Sequence, residues 1–376
     1  MLYLHGLGHF HPENVITNRF LEDLDIGTSD EWVLERVGIR ERRTSLDLAY
    51  IRETKNRDPR AAHEASRYTN AQTGAAAARQ ALAQAGIGTG DIGLVVSGSS
   101  APDHVTPSEA ATVAAELGIE APCLDINAAC ATFGVQLTFL DRMRSDTLPL
   151  FTLVVNPENL TRCVDYGDRS TAVLFGDGSA AAVVSAVEPA RIRLRAGECA
   201  SHPASWQKAV IPRGGYFRQE GNAVQGFAIR KMTEAVRKFQ GHWEGEARGA
   251  GRCRAGIKGT AGMAGGEDFR SATGPGTYMT TNGAAGAAPG DVHGRRLIFI
   301  GHQANLSVLS TVCERSGIPD ENHWRNVTLF GNTGCSGAPA VLSQRRDDLG
   351  ASDVLVMALV GAGLTWATLV WEVDAE

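Results

Sequence analysis

The sequence predicts an α/β protein in which a mostly parallel sheet is covered by helices on both faces. Apolar runs of strand length alternate along the chain with segments of helical periodicity. The segment Cys123–Met143 contains both patterns, because an apolar run is followed by the small pair Ala128–Ala129 and then by apolar residues at helical spacing. Its helical part contains no charged residue before Asp141, which predicts a helix that is buried nearly all round.

The first half of the chain follows this alternation. Predicted strands lie at Leu2–Gly8, Ile92–Ser97, Cys123–Ile126 and Leu150–Val155, with two further runs in Thr171–Val184 around the turn Phe175–Gly178. Predicted helices begin at a capping box, Thr28–Glu31, and cover Ala71–Ala85 and Pro107–Leu117. The highly charged segment Leu46–Tyr68 predicts a long surface insertion.

The second half of the chain shows the same alternation of predicted helices and strands. Predicted helices are Ala223–Phe239 and Asn305–Ser316, and predicted strands are Leu297–Ile300 and Val327–Phe330. The uncharged segment Val354–Trp371 approaches the length of a membrane span, but Gly361 and Gly363 interrupt it. It therefore predicts two buried strands joined by a glycine turn. Gly241–Gly294 is rich in Gly, Ala and Ser, which predicts a surface loop or a partly disordered insertion.

Composition excludes several classes of protein. The net charge of -6 predicts no general affinity for nucleic acid or for an anionic membrane. Seven cysteines without CxxC spacing predict neither a disulfide framework nor a metal site, and they indicate a reducing, cytoplasmic compartment. The N-terminal residues predict a first strand and not a signal peptide.

Cys130 stands at the predicted turn between strand and helix. The free N–H groups of a helix start favour a thiolate, so the sequence predicts a thiol that ionises more easily than an ordinary cysteine. A small apolar residue in a core is the alternative, because free cysteines are usually buried. This stretch alone favours neither interpretation.

Two more polar residues occupy comparable places. His302 and Asn332 each follow a short apolar run and precede a helix or turn, and in an α/β sheet such positions meet at the carboxyl edge where ligands bind. A thiol can accept an acyl group from a thioester, while imidazole and carboxamide can stabilise an oxygen that becomes anionic. Taken singly, a hydrogen-bonded core histidine and a turn asparagine are the simpler interpretations.

Together with their neighbours these residues resemble a known family, the β-ketoacyl-acyl-carrier-protein synthase III enzymes of thiolase fold. The shared motifs are TSDEW and GIRER within 28–42, AAC at 128–130, FGDG at 175–178, EGNAV at 220–224, GHQANL at 301–306, GNTG at 331–334 and GAGLTW at 361–366. The resemblance implies two similar lobes, residues 1–185 and 186–376, in a five-layer α-β-α-β-α arrangement. It also implies a homodimer.

The resemblance further implies roles for particular residues. Cys130 would accept the primer acyl group, with its own N–H and that of Gly363 forming the oxyanion hole. His302 and Asn332 would stabilise the enolate formed when a malonyl unit loses carbon dioxide. Further residues would bind coenzyme A, which is a thioester substrate here and not a permanently bound cofactor. Trp32 and Arg162 would hold its adenine, and Thr28, Arg36, Asn222 and Asn305 would line the pantetheine channel.

The expected reaction is therefore a decarboxylative Claisen condensation of a Cys-bound acyl group, from acyl-CoA, with a malonyl thioester carried by CoA or by acyl carrier protein. The alternatives are an acyltransferase acting on an alcohol or amine, a non-decarboxylative head-to-head condensing enzyme, and a catalytically silent partner subunit. Three positions depart from the family pattern. Ser307 stands where an arginine commonly helps to dock the carrier protein, Thr106 where head-to-head enzymes tend to have glutamate, and Thr132 where glycine is frequent.

Overall fold

A computed structural model describes residues 1–247, 291–292 and 294–375. Most of the predicted insertion Gly241–Gly294 lies outside these residues. Its first residues, up to Ala247, continue a long helix, and Asp291–Val292 form a short strand.

The described residues form strands and helices in alternation. The strands are β1 Leu2–Phe10, β2 Asn14–Thr17, β3 Glu41–Thr44, β4 Ile92–Ser97, β5 Cys123–Asp125, β6 Phe151–Glu158, β7 Gly178–Ser185, β8 Ile192–Ser201, β9 Ala209–Val210, β10 Arg218–Gln219, β11 Asp291–Val292, β12 Arg295–Gly301, β13 Val354–Gly361 and β14 Thr365–Val373. The helices are α1 Asn18–Asp23, α2 Asp30–Val37, α3 Leu48–Thr54, α4 Ala61–Ala65, α5 Asn70–Ala85, α6 Glu109–Leu117, α7 Thr132–Arg142, α8 Arg169–Ala172, α9 Gly221–Ala247, α10 Leu306–Ser316, α11 Val327–Phe330 and α12 Gly337–Arg345.

Ten of the strands form one continuous sheet in the order β11-β12-β13-β14-β8-β1-β7-β6-β4-β5. From the edge to the β8–β1 junction, the N-terminal half has the order β5-β4-β6-β7-β1, and the C-terminal half has the order β11-β12-β13-β14-β8. In each half, the last two strands along the chain therefore lie next to the first strand. The junction is short, since only Leu2–Leu4 pairs with Ile192–Leu194. The parallel pairs β4–β5, β4–β6 and β12–β13 are outnumbered by antiparallel pairs among the described strands. The sheet is therefore mixed, and the prediction of a mostly parallel sheet is wrong.

Helices cover this sheet in layers. α5 packs against β1, β7 and α6 on one side, and α9 packs against β13 and α10 on the other. α7 and α12 lie between the halves, because α7 contacts β6, β8 and β14 while α12 contacts β1, β7 and β12. The central layer is largely apolar, with Phe133, Leu137 and Leu342 fully buried. This burial confirms the α/β prediction and explains why α7 has no charge before Asp141.

Two predicted strands are wrong. Thr171 lies in the one-turn helix α8, because Asp168 accepts a hydrogen bond from the Ser170 N–H and caps it. Val327–Phe330 is helix α11, whose first N–H donates to the side-chain oxygen of Gln303. A four-residue apolar run is compatible with either structure, and here a side chain remote in sequence decides.

Helix starts also differ from prediction. Ser29, and not Thr28, caps α2, since its Oγ accepts from the Trp32 N–H. α6 begins at Glu109 because Ser108 caps it and Asp125 accepts the Glu109 and Ala110 N–H groups.

The charged segment Leu46–Tyr68 is more integrated than a surface insertion. It contains α3 and α4, and its Ile51 and Ala62 are fully buried in the core. Asn56 is buried too and donates to the carbonyls of Arg162 and Val164. Near the C-terminus, Val354–Gly361 and Thr365–Val373 form the predicted antiparallel pair. Among the described helices, none is long and apolar enough to cross a membrane.

Candidate functional site

Cys130 lies in a tight turn between β5 and α7 that its neighbours hold in place. Ala129 has a left-handed backbone, with φ of 50°. Asn127 Oδ1 accepts from the Ala129 N–H at 2.8 Å, while Thr132 Oγ1 accepts from the Ala128 N–H and donates to the Ala129 carbonyl. These bonds compensate for a conformation that non-glycine residues rarely adopt. Thr132 is fully buried within the turn, so it shapes the turn and not the cavity wall.

Cys130, His302 and Asn332 all line one cavity of about 380 Å³, together with Gly363 and Asn305. The residues that the sequence presented as separate polar positions are therefore brought together from both halves of the chain. Most of the remaining wall is apolar and includes Leu160, Leu174, Phe175, Phe217, Val308 and Val360.

His302 follows β12 and is buried. Its backbone N–H donates to the Ala358 carbonyl at 2.8 Å. Burial lowers the pKa of His302 to about 4. At neutral pH the imidazole is therefore uncharged, so one ring nitrogen can donate a hydrogen bond while the other can accept a proton.

Asn332 is held by its own turn. Its backbone N–H donates to the Leu174 carbonyl at 2.8 Å, and its Oδ1 accepts from the Gly334 N–H at 3.0 Å. Since the carboxamide oxygen is occupied in this way, the NH₂ group remains for the cavity. The site therefore receives a hydrogen-bond donor from Asn332.

The backbone at Gly361 lies very close to the backbone of the turn that carries Cys130. A Cβ atom on Gly361 would stand 2.8 Å from the Cys130 nitrogen and 2.6 Å from the Ala128 carbonyl oxygen, so only glycine fits there. Gly363 has φ of 123°, which also favours glycine. This turn lets the backbone around Gly363 reach the cavity wall next to Cys130.

The prediction that Cys130 ionises easily is contradicted. Burial, and to a smaller extent the negative charge of Glu158, raises the pKa of the Cys130 thiol to about 12. α7 begins at Thr132, so Cys130 lies before the helix start rather than on it. The thiol is therefore neutral at pH 7, and its proton needs an acceptor such as the neutral imidazole of His302 in the same cavity.

Arg162 does not face Trp32, contrary to prediction. Its side chain is 2% exposed and forms an ion pair with Asp103. It also donates to Asn70 Oδ1 at 3.1 Å and to the Ala101 carbonyl at 3.2 Å. A guanidinium held in this way supports the fold and is closed to a ligand.

Two other arginines lie against the indole of Trp32. The guanidinium carbon of Arg169 is 5.1 Å from the ring centroid, and that of Arg36 is 5.8 Å away. Arg169 and Arg162 belong to the same polar segment, and the sequence contains no signal that separates them.

The remaining predicted binding residues lie in different settings. Asn305 is in the cavity wall, although its Oδ1 accepts from the Val308 N–H and caps α10. Asn222 is exposed on the first turn of α9. The Thr28 Oγ1 atom is buried and has no hydrogen-bond partner among the described residues.

Several lining residues were not singled out from the sequence, namely Ser100, Asn127, Trp206, Phe217 and Gln219. They belong to loops and short strands without a distinctive local pattern, so only the tertiary structure identifies them. Within the described ranges, no group of His, Cys, Asp and Glu has an arrangement that could hold a metal ion.

Comparisons with known proteins agree with this geometry. The family model described as 3-oxoacyl-[acyl-carrier-protein (ACP)] synthase III matches residues 124–202, and its C-terminal counterpart matches residues 285–373. The chain is 30% identical to β-ketoacyl-[acyl-carrier-protein] synthase III of Bacillus pumilus over 367 residues, covering 97% of this chain and 96% of that protein. It is 29% identical to the Rhodobacter capsulatus enzyme of the same name, with 97% of both chains covered.

Solved structures give the same result. The 3-oxoacyl-[acyl-carrier-protein] synthase III of Aquifex aeolicus superimposes with a TM-score of 0.76 at 26% identity, covering 99% of this chain and 100% of that one. The enzyme of Pseudomonas aeruginosa gives a TM-score of 0.74 at 26% identity, covering 100% of this chain and 98% of that one. These neighbours confirm the predicted thiolase-like fold.

Proposed function

Because the chain belongs to the β-ketoacyl-acyl-carrier-protein synthase III family, it is a decarboxylative condensing enzyme of fatty-acid or polyketide-type biosynthesis, and we propose how its residues divide the work. Cys130 accepts an acyl group from acyl-CoA. His302 and Asn332 then support carbon–carbon bond formation with a malonyl thioester. The joint position of these three side chains in one largely apolar cavity is the observation on which the proposal rests.

In the first half-reaction the neutral Cys130 thiol gives its proton to His302 as sulfur attacks the thioester carbonyl. The pKa values of about 12 and about 4 make both groups neutral before the step. Backbone N–H groups of Cys130 and Gly363 stabilise the tetrahedral oxyanion. The CoA thiolate takes this proton from His302 and leaves as a thiol, and the acyl group remains on Cys130.

In the second half-reaction the malonyl unit loses carbon dioxide, and negative charge develops on its thioester oxygen. The Asn332 NH₂ group and an N–H of His302 donate hydrogen bonds to this oxygen. The enolate carbon then attacks the acyl-Cys130 carbonyl, the bond between that carbonyl carbon and the Cys130 sulfur breaks, and the 3-oxoacyl thioester leaves while the Cys130 thiolate takes up a proton from solvent. An acyltransferase needs a base and has no use for a donor to an enolate oxygen, whereas the Asn332 carboxamide, whose oxygen already accepts a hydrogen bond from Gly334, is such a donor and not a base.

The apolar wall of the cavity suits an apolar primer. Leu160, Leu174 and Phe217 surround the space beside Cys130, and burying acyl methylenes against them contributes about 0.8 kcal/mol each. The extender is carried by CoA or by acyl carrier protein. The names of the curated relatives favour the carrier protein.

Coenzyme A is proposed to bind at the mouth of the cavity with its adenine on Trp32. Arg169 and Arg36 already approach the indole to 5.1 and 5.8 Å, so a flat heterocycle can stack against the same surface. Asn305 in the cavity wall, with Thr28 and Asn222, is assigned to the pantetheine arm.

Trp32→Ala and Arg169→Ala are each expected to lower kcat/KM for acyl-CoA by about 10-fold, equivalent to about 1.4 kcal/mol. Neither variant should change the use of a short pantetheine thioester, which lacks the adenine. Steady-state kinetics with both donors test this. Arg79→Ala removes an exposed charge from α5 and serves as the matched control. Equal loss with both donors would contradict adenine binding and assign Trp32 to the fold.

A homodimer formed through β5 is the second proposal. β5 is an edge strand of the sheet, and Leu124 on it is 40% exposed. Phe139 and Met143, at the C-terminal end of α7, are also exposed. An unprotected edge with apolar neighbours is a natural pairing surface, and two copies of one strand pair antiparallel about a two-fold axis.

Light scattering is therefore expected to give a mass of about twice 39.9 kDa for the wild type. The double variant Leu124→Asp with Phe139→Asp should shift the protein to the monomer mass, because each protomer would bury two charges in the interface. Val187→Asp, at another exposed apolar position, should leave the mass unchanged. A monomeric wild type would refute the proposal.

A further inference from the structure

Glu158, the last residue of β6, is a fully buried carboxylate that the reaction scheme above does not use. Its Oε2 accepts from the Ser100 N–H at 3.0 Å and from Ser99 Oγ at 3.1 Å. Its Oε1 accepts from the Ser100 hydroxyl at 2.9 Å, from the Cys335 N–H at 3.3 Å and from the Cys335 thiol at 3.1 Å. Five donors from two loops therefore converge on one side chain.

One of these loops is the turn that carries Asn332. Gly334 lies against the carboxylate so closely that a Cβ atom there would stand 2.6 Å from Glu158 Oε1. The N–H of the same Gly334 donates to Asn332 Oδ1 and thereby directs the Asn332 NH₂ group into the cavity. The position of Glu158 therefore sets where residues 334–335 lie, and through them how Asn332 is oriented.

The other loop leads to the nucleophile. Asn127 Nδ2 donates to the Ser99 carbonyl at 2.8 Å, and Asn127 Oδ1 accepts from the Ala129 N–H at 2.8 Å. Ser100 itself lines the cavity. Glu158 is thus connected through Ser99 and Asn127 to the residue that precedes Cys130.

We propose that Glu158 is a positioning residue for the condensation, holding the turn of Asn332 and the turn of Cys130 at a fixed separation so that the Asn332 NH₂ group meets the malonyl thioester oxygen beside the thiol. The inference rests on the functions proposed above for Cys130 and Asn332. It adds Glu158, a residue of the N-terminal half of the chain, which acts through the turn of Asn332 in the C-terminal half.

The hydrogen bonds require a carboxylate and not an amide. Each oxygen of Glu158 faces a backbone N–H, from Ser100 on one side and from Cys335 on the other, and a backbone N–H can only donate. In Glu158→Gln one of these N–H groups must oppose the side-chain NH₂. One loop is then displaced, although the side chain keeps nearly the same size.

The negative charge of Glu158 also acts on the Cys130 thiol, and losing this charge favours acylation, whereas losing the hydrogen bonds impairs decarboxylation. Burial raises the pKa of Glu158, and the hydrogen bonds from Cys335 and Ser100 oppose that rise. The ionised carboxylate raises the pKa of Cys130, Cys335 and Cys163, while His302 in the same cavity is neutral. Removing the charge lowers the pKa of the Cys130 thiol and favours its attack on a thioester. Loss of the carboxylate is therefore expected to impair decarboxylation but not acylation.

The test compares wild type, Glu158→Gln and Glu158→Asp in two assays: stopped-flow formation of the acyl-Cys130 adduct from acyl-CoA across pH, and release of labelled carbon dioxide from malonyl-CoA or malonyl carrier protein. Glu158→Gln should slow carbon dioxide release by about 10-fold or more, because small misplacements of a catalytic group have effects of this size. Its acylation should be at least as fast as in wild type, and in the His302→Ala background, where the rate follows the Cys130 pKa, the pH profile should move to lower pH. Glu158→Asp, which keeps both acceptor oxygens, should recover part of the decarboxylation.

Glu372→Gln is the matched control, since Glu372 is a buried carboxylate of β14 that pairs with Arg193 and Arg295 and lies outside the cavity wall. It should change neither the ratio of the two rates nor the pH profile. Should Glu158→Gln fail to fold, the ratio in Glu158→Asp decides, because its shorter side chain also shifts the turns. Proportional loss of both rates, or an unchanged ratio, overturns the positioning function. A wild type that acylates Cys130 but releases no carbon dioxide from either malonyl donor overturns the proposed condensation and this inference with it.

Discussion

Replacing Asn332 with alanine is expected to slow carbon dioxide release from a malonyl thioester by about 10²–10³-fold, or about 3–4 kcal/mol. The structure explains why the donor is well defined: Gly334 occupies the Asn332 oxygen, so the NH₂ group is the end that faces the cavity. Formation of the acyl-Cys130 adduct should remain near the wild-type rate, because that step uses backbone N–H groups and the thiol. Stopped-flow acylation and a labelled carbon dioxide assay measure the two halves on one variant.

Asn332→Asp provides a control of the same size. It cannot donate a hydrogen bond while ionised, and it adds negative charge where the enolate forms, so its decarboxylation should fall at least as far as in Asn332→Ala. Full decarboxylation in Asn332→Ala would refute the enolate function. The acyltransferase alternative would then be favoured.

Cys130→Ala is expected to abolish the acyl-enzyme and to reduce condensation by about 10³-fold or more, since the nucleophile itself is missing. Peptide mapping after treatment of the wild type with acyl-CoA should locate the adduct at Cys130. Cys335 and Cys313 are the buried alternatives, and the Cys335 thiol donates a hydrogen bond to Glu158. An adduct at Cys335 would contradict the assignment of the nucleophile.

His302→Ala is the informative companion to Cys130→Ala. In the wild type the neutral imidazole accepts the thiol proton, so adduct formation should vary little with pH until His302 is protonated near its pKa of about 4. Without the imidazole, the rate should rise with pH towards the Cys130 pKa of about 12. A wild-type profile as steep as that of His302→Ala would exclude His302 as the acceptor.

The catalytic set was accessible to sequence reasoning because each member follows a short apolar run and precedes a turn. Cys130, His302 and Asn332 all stand at such points, and strands of one α/β sheet bring those points to a common edge. The alternation of strands and helices also predicted about half of the described elements, among them α5, α10 and the β13–β14 pair, but it did not predict β8 or α12. The errors at Thr171 and Val327–Phe330 occurred in short runs that are compatible with both structures.

The sequence by itself determined the family, the α/β class and the thiol, imidazole and carboxamide of the site. Only the tertiary structure decided that Arg169 and not Arg162 lies on Trp32, since the two arginines differ in burial and ion pairing and not in local pattern. It also decided that the Cys130 thiol is neutral. The pKa of a buried group depends on desolvation and on charges such as Glu158, which belong to segments far away in the chain and come together only on folding.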